Sequence, residues 1–324
     1  MSSENYVRYF IFIVGGFILF LWGLAWIAPE SAYMDREYAE WQSKKEYVRQ
    51  ESDKKEILFL GDSRMLAAVD PTLMAKPGFN LALSGSNPVE MYFTLKNYME
   101  NHPKPLAVFV GFAPEHLAKL DAYKRRNFHF HYFTYDEAME SQQQIFQSDG
   151  YSKEQQNKEL IDDWHYLLRL PTRYGRVILK SKLRRGKEYR KNYQEIMGKF
   201  GHSQVISAKE NNEQNWEAQQ KHFRILNSND FYLKKILRLC EEQLIPAYIL
   251  QFPVNPRSEH DIEASGYSDA YEEYMRSIMR EFRVSVELKA PVYPADCFRD
   301  PSHLNVYGTE IYTKDLINRY DILK

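Results

Sequence analysis

Three residues carry the chemistry open to this chain. Ser63 ends the run Ile57-Leu58-Phe59-Leu60-Gly61-Asp62-Ser63, and Asp300 and His303 frame the tetrapeptide Asp300-Pro301-Ser302-His303. A serine hydroxyl is a weak nucleophile until a base removes its proton. A histidine can be that base, and a carboxylate can orient the ring and stabilise its charged form. Pro301 stiffens the turn, and the spacing around it lets a carboxylate and an imidazole project together. We expect Ser63 as nucleophile, His303 as base and Asp300 as the supporting acid. Taken singly the motifs are weak, because Asp62 or Ser63 can simply cap a helix and His303 can sit idle on the surface. Their joint placement, after the first strand and before the last helix, gives them weight.

The elements around them read as alternating strands and helices. Four apolar residues followed by Gly-Asp-Ser and Arg64-Met65-Leu66-Ala67-Ala68 predict a buried strand, Ile57–Leu60, turning into a helix from Ser63 to about Ala75. Further strands are expected at Phe79–Leu83, Leu106–Val110, Pro246–Phe252 and Val284–Leu288. Helices are expected at Val89–Asn101, Phe231–Gln243, Ala270–Phe282 and Val306–Asn318. This rhythm means an α/β fold, a five-stranded parallel sheet with helices on both faces. Ligands bind such sheets at the carboxyl ends of the strands, where Ser63 would stand. Residues 113 to about 228 interrupt the rhythm and are read as a helical insertion over or beside that edge.

Tyr9–Pro29 contains no charged residue and is long enough to cross a bilayer as a helix. Trp22 and Trp26 lie toward its outer end, as interfacial aromatics do. Its length favours an uncleaved anchor over a signal peptide. Arg8 before it and Glu30, Asp35, Glu37 and Glu40 after it orient the N-terminus inside. The expected organisation is an anchor (1–30), a juxtamembrane helix (31–55) that lifts the domain off the bilayer, and the α/β domain (56–324) outside the cytoplasm.

The chain of 324 residues is 44% hydrophobic and carries a net charge of −1, so it can bury a core and offers no global argument for nucleic acid. Its 24 Tyr and 19 Phe are compatible with glycan handling and equally with a Tyr-rich core. Cys240 and Cys297 read as two free buried thiols, with a disulfide open if they meet. Lys180–Lys191 is densely basic and reads as a solvated helix face, the other reading being an anionic polymer or lipid headgroups. His129 and His131 would share one face of an extended segment; two histidines do not make a metal site, and neither metal nor cofactor is assigned. No internal repeat or low-complexity tract is present.

Gly61-Asp62-Ser63, Asn80 to Gly85 and Asp300-Pro301-Ser302-His303 together resemble the blocks of the SGNH/GDSL hydrolase family. The resemblance covers roughly 56–112 and 231–320. It implies a flavodoxin-like sheet, Ser63 as nucleophile, His303 as base, Asp300 as acid, and an oxyanion hole from the backbone N–H groups of Ser63 and Gly85. The family's third block, Gly-x-Asn-Asp, is replaced by Gly111-Phe112-Ala113-Pro114, which removes one oxyanion donor. Asn87 is a candidate substitute. The anchor makes the chain look like the membrane-bound branch of the family, which includes the D-alanyl transfer protein of teichoic acids and alginate-type O-acetyltransferases.

The expectation is therefore an O-acyltransferase, acetyl being the preferred group, on the outer side of a bacterial cytoplasmic membrane. It would modify a cell-envelope glycan or exported polysaccharide beside a membrane-bound O-acyltransferase. A carbohydrate esterase, with water as acceptor, is the first alternative. A non-catalytic anchored scaffold of a glycan-synthesis complex is the second.

Overall fold

The computed structural model describes residues 3–32, 37–120, 123–181, 185–204, 210–220 and 222–324. Five strands, β1 (Ile57–Gly61), β2 (Gly78–Asn80), β3 (Ala107–Gly111), β4 (Ala247–Leu250) and β5 (Ser285–Val286), form one sheet in the order β2-β1-β3-β4-β5. Every neighbouring pair is parallel, and β1 is flanked by β2 and β3 with Ile57 opposite both Gly78 and Ala107.

The central strands β1 and β3 are apolar and buried along their whole length because both faces of the sheet are covered there. Side chains alternate in direction, so Leu58, Leu60, Val108, Val110 and Ile249 enter one core while Ile57, Phe59, Ala107, Phe109 and Leu250 enter the other. Cys240 belongs to the first core and Cys297 to the second, and both are free and buried.

Several elements are shorter than expected. The helix after the first strand is Ser63–Ala68 and does not reach Ala75. Pro71 lacks the N–H a helix would need there, and Asp70 instead caps a separate turn, Pro71–Leu73, by accepting the Thr72 N–H. β2 stops at Asn80, yet Leu81 and Leu83 still donate to Phe59 O and Gly61 O, each across 2.8 Å. The pairing thus continues to the end of β1.

The N-terminal helix, Ser3–Ile27, is long and apolar enough to span a membrane. Most of it is exposed, but Leu21 and Ala25 are buried in the same cluster as Tyr174 and Ile178. Glu37–Arg49 is helical as expected, but it is not a spacer: Tyr38, Trp41, Ser43, Lys44 and Val48 are buried in the domain. The expected insertion holds the helices Tyr135–Ser148, Lys153–Leu167, Pro171–Ser181 and Gly186–Gly198, with no strand among its described residues. Residues 182–184 of the basic run lie outside the described residues. The segment at His129 is not extended: Arg125–His129 is a π-helical turn, and His131 has a positive φ of 53°.

Candidate active site

The site begins where β1 ends. Gly61 has no room for a side chain, since a Cβ there would collide with the Gly111 carbonyl and with Met65. That close approach lets β1 and β3 end side by side. Asp62 then leaves the strand and caps the helix Ser63–Ala68, its Oδ1 accepting the Arg64 N–H across 2.8 Å. Ser63 is the first helical residue, raised at the carboxyl edge of the sheet beside the point where strand order reverses.

Asp62 is fully buried. Burial alone would raise its pKa, but it is held at about 2 by His116, by Arg64 and by the Ala113 N–H, which donates to Oδ2 across 2.7 Å. His116 Nδ1 lies 2.8 Å from the same oxygen. One carboxylate therefore joins the Ser63 turn to the loop that follows β3.

His303 and Asp300 approach from the other end of the chain. Phe298 and Leu304 bridge antiparallel, and the Arg299 N–H donates to His303 O across 3.0 Å, so the loop closes on itself. Asp300 Oδ1 accepts the N–H groups of Ser302 (3.0 Å) and His303 (2.9 Å), an Asx turn that sets the carboxylate beside the ring. His303 Nδ1 stands 2.8 Å from Asp300 Oδ1, and His303 Nε2 stands 2.8 Å from Ser63 Oγ. Burial opposes the ionised form of Asp300, yet the bonds to His303 and the Ser302 N–H, together with Arg299, hold its pKa well below the ordinary carboxylate range. The three residues singled out by type and spacing thus meet in one hydrogen-bonded line.

Gly85 lies on the same cleft, in the left-handed conformation with φ 65°. Its loop is pinned on three sides. Glu40 accepts from the Ser84 N–H and hydroxyl (2.5 and 2.9 Å), Ser86 Oγ donates to Gly61 O (2.7 Å), and Arg126 Nη1 donates to Gly85 O (3.3 Å). Arg126 is itself held by Glu37 at 2.9 and 3.1 Å.

Asn87 does not serve the cleft. It is buried, and with its amide turned so that both ends are satisfied, its nitrogen donates to the carbonyls of His116 (2.8 Å) and Lys119 (3.0 Å). The side chain on the cleft from the third-strand loop is His116, which the sequence reading did not single out. The only signal for it was its place, just beyond the Gly111–Pro114 segment that lacks the expected Asn. Arg126 and the helix Gly186–Gly198 leave no signal in the sequence either, because contacts to distant segments have no local pattern, and Arg299, which reaches the neighbouring Asp300, belongs to no motif.

The cleft holding Ser63 and His303 has a volume of about 710 Å³. Most of its lining residues are polar or charged, Glu188, Lys191, Asn192 and Glu195 being contributed by the inserted helix Gly186–Gly198, with Leu66, Ala67 and Ile196 adding apolar surface. Among the described residues no group of three His, Cys, Asp or Glu side chains could hold a metal ion. A second cavity of about 320 Å³ lies near the end of β4, with Gln251, Phe252, Tyr267 and Tyr271 on its walls and the Arg64–Glu217 pair at one side.

No protein-family model matches the chain, and no curated protein matches it either. A solved structure from Streptococcus pneumonia, provisionally described as a platelet activating factor, aligns with 98% of this chain and 99% of its own at 12% identity and a TM-score of 0.38. At that level of likeness, the fold and the chemistry rest on this chain's own residues.

Proposed function

We propose that the protein is a serine acyltransferase of the SGNH type, acting on a hydroxyl-rich polymer of the bacterial cell envelope. The observation that carries this reading is the line Asp300–His303–Ser63, closed by two contacts of 2.8 Å. The 2-1-3-4-5 strand order is the flavodoxin-like one and supports the same family reading.

In this mechanism His303 Nε2 takes the Ser63 proton as Oγ attacks the carbonyl of an acyl donor. The N–H groups of Ser63 and Gly85 meet the oxyanion, and His116 supplies the side-chain contact that Asn supplies elsewhere in the family. His303 then returns its proton to the leaving group, and an acyl-serine remains. A glycan hydroxyl, deprotonated by the same His303, attacks the acyl-serine carbonyl; the ester bond to Oγ breaks, His303 returns the proton to Ser63 Oγ, and the glycan leaves carrying the acyl group. Asp300, kept ionised, orients the ring through both steps.

The hydrogen-bonding and charged side chains that line the cleft, beside the apolar surface of Leu66, Ala67 and Ile196, support a sugar acceptor. The apolar N-terminal helix supports a place at the outer face of the cytoplasmic membrane, where a membrane-bound O-acyltransferase would deliver an acetyl group. The test is a competition for the acyl-enzyme. Acylated protein is mixed with envelope polysaccharide or with buffer, and release is followed by mass spectrometry. Faster release by polysaccharide, with acyl groups appearing on it, is expected. Equal release in buffer would make the protein an esterase.

A further inference from the structure

The inserted helices Lys153–Leu167 and Pro171–Ser181 form a hairpin against the outer half of the N-terminal helix. Trp22 Nε1 donates to Leu168 O across 2.9 Å. Arg169 donates to Ala25 O and stacks over Trp26, its Cζ 4.9 Å from the ring centre. The second helix packs against the apolar one, leaving a groove of about 810 Å³ between Phe17, Ile18 and Leu21 on one side and Leu170, Gly175 and Leu179 on the other.

Water is a poor environment for the outer surface of this hairpin. Ile161, Trp164 and Leu168 follow one face of the first helix and its end, and are 62%, 44% and 43% exposed; Leu179 on the second is 56% exposed. The helix Pro171–Ser181 contains no acidic residue, and its exposed polar side includes Arg173, Arg176 and Lys180. Arg173 reaches Asp162, while Arg176 and Lys180 border the groove. An apolar stripe beside cationic side chains, with Trp near the boundary, is the pattern of a helix lying in a membrane interface. Leu168 and Leu179 also adjoin a helix long enough to cross the bilayer, the first through its carbonyl on Trp22 and the second across the groove from Phe17 and Ile18.

We propose that this hairpin is a lipid-contacting platform, seated at the headgroup–acyl boundary of an anionic leaflet on the domain's side of the membrane. Ile161, Trp164, Leu168 and Leu179 enter the boundary, and Arg176 and Lys180 extend to lipid phosphates. The next helix, Gly186–Gly198, lines the Ser63 cleft, so the platform sets the cleft beside the membrane surface. The inference rests on the reading of Ser3–Ile27 as membrane-spanning and is independent of the Ser63 chemistry.

The test uses the full chain reconstituted in vesicles of phosphatidylcholine and phosphatidylglycerol, with brominated acyl chains quenching tryptophan. Trp164→Phe should remove a quenchable part of the emission. Trp216→Phe should remove only emission that bromine does not reach, Trp216 being exposed and on a separate part of the domain. The double substitution Arg176→Gln and Lys180→Gln should reduce quenching at Trp164 in phosphatidylglycerol vesicles and change little in phosphatidylcholine alone. Unquenched Trp164 beside quenched Trp22 and Trp26 would overturn the platform. Absence of quenching at all three would overturn the spanning helix and the platform together, with Ser63 acylation still open to its own assay.

Discussion

His116 Nδ1 lies 2.8 Å from Asp62 Oδ2, and the other oxygen of that buried carboxylate accepts the Arg64 N–H at 2.8 Å. A single side chain thus braces the turn that carries Ser63 and the loop that brings His116 to the cleft. Its ionised form is preferred in the folded state, with a pKa of about 2 against an ordinary 3.8. Stability from this group is therefore present above pH 3.8 and is lost as pH falls through 2. Asp62→Asn should lower unfolding stability at neutral pH by about 2 kcal/mol, read by urea titration. The difference from the unsubstituted protein should shrink as pH falls across that window; a constant deficit would contradict the assignment.

His116→Gln separates oxyanion stabilisation from acceptor binding. Loss of an oxyanion contact should lower kcat by about a hundredfold and leave KM nearly unchanged. Ser63 should still acylate, more slowly. An effect confined to KM would place His116 in acceptor binding.

Gly85→Ala tests the loop facing Ser63. The position has φ 65°, and a Cβ there would strike the Arg126 guanidinium. The strain should cost about 1–3 kcal/mol of stability. The displaced N–H should lower kcat by more than that loss of folded protein explains, measured at a temperature where the variant stays folded.

Much of this architecture was legible in the sequence because it rests on local rules. Unbroken apolar runs marked strands covered on both faces, and Gly-Asp-Ser and Asp-Pro-Ser-His announced tight turns whose side chains bond their own backbone. Boundaries that depended on a single breaker, such as Pro71, were misjudged by a few residues. Asn87 has the residue type of an oxyanion donor but is buried away from the cleft, where its amide, suitably turned, faces the carbonyls of His116 and Lys119. His116 and Arg126 reach the cleft only through tertiary contacts, which no spacing along the chain encodes.

Arg64 and Glu217 tie the inserted segment to the nucleophile helix. Both are buried, and Arg64 Nη2 lies 2.8 and 2.7 Å from the two Glu217 oxygens. Arg64→Met should leave the Glu217 charge uncompensated and cost about 3–5 kcal/mol. Adding Glu217→Leu should recover most of that loss. Additive damage from the two changes, read by urea unfolding, would show that the pair does not act as a unit.

In the proposed mechanism Ser63 carries the acyl group. The full chain, incubated with an activated acetyl ester and digested, should yield one peptide heavier by a single acetyl group and mapped to Ser63. The label should be absent from Ser63→Ala and strongly reduced in His303→Ala. An unlabelled Ser63 in folded protein, or equal labelling in His303→Ala, would contradict the account.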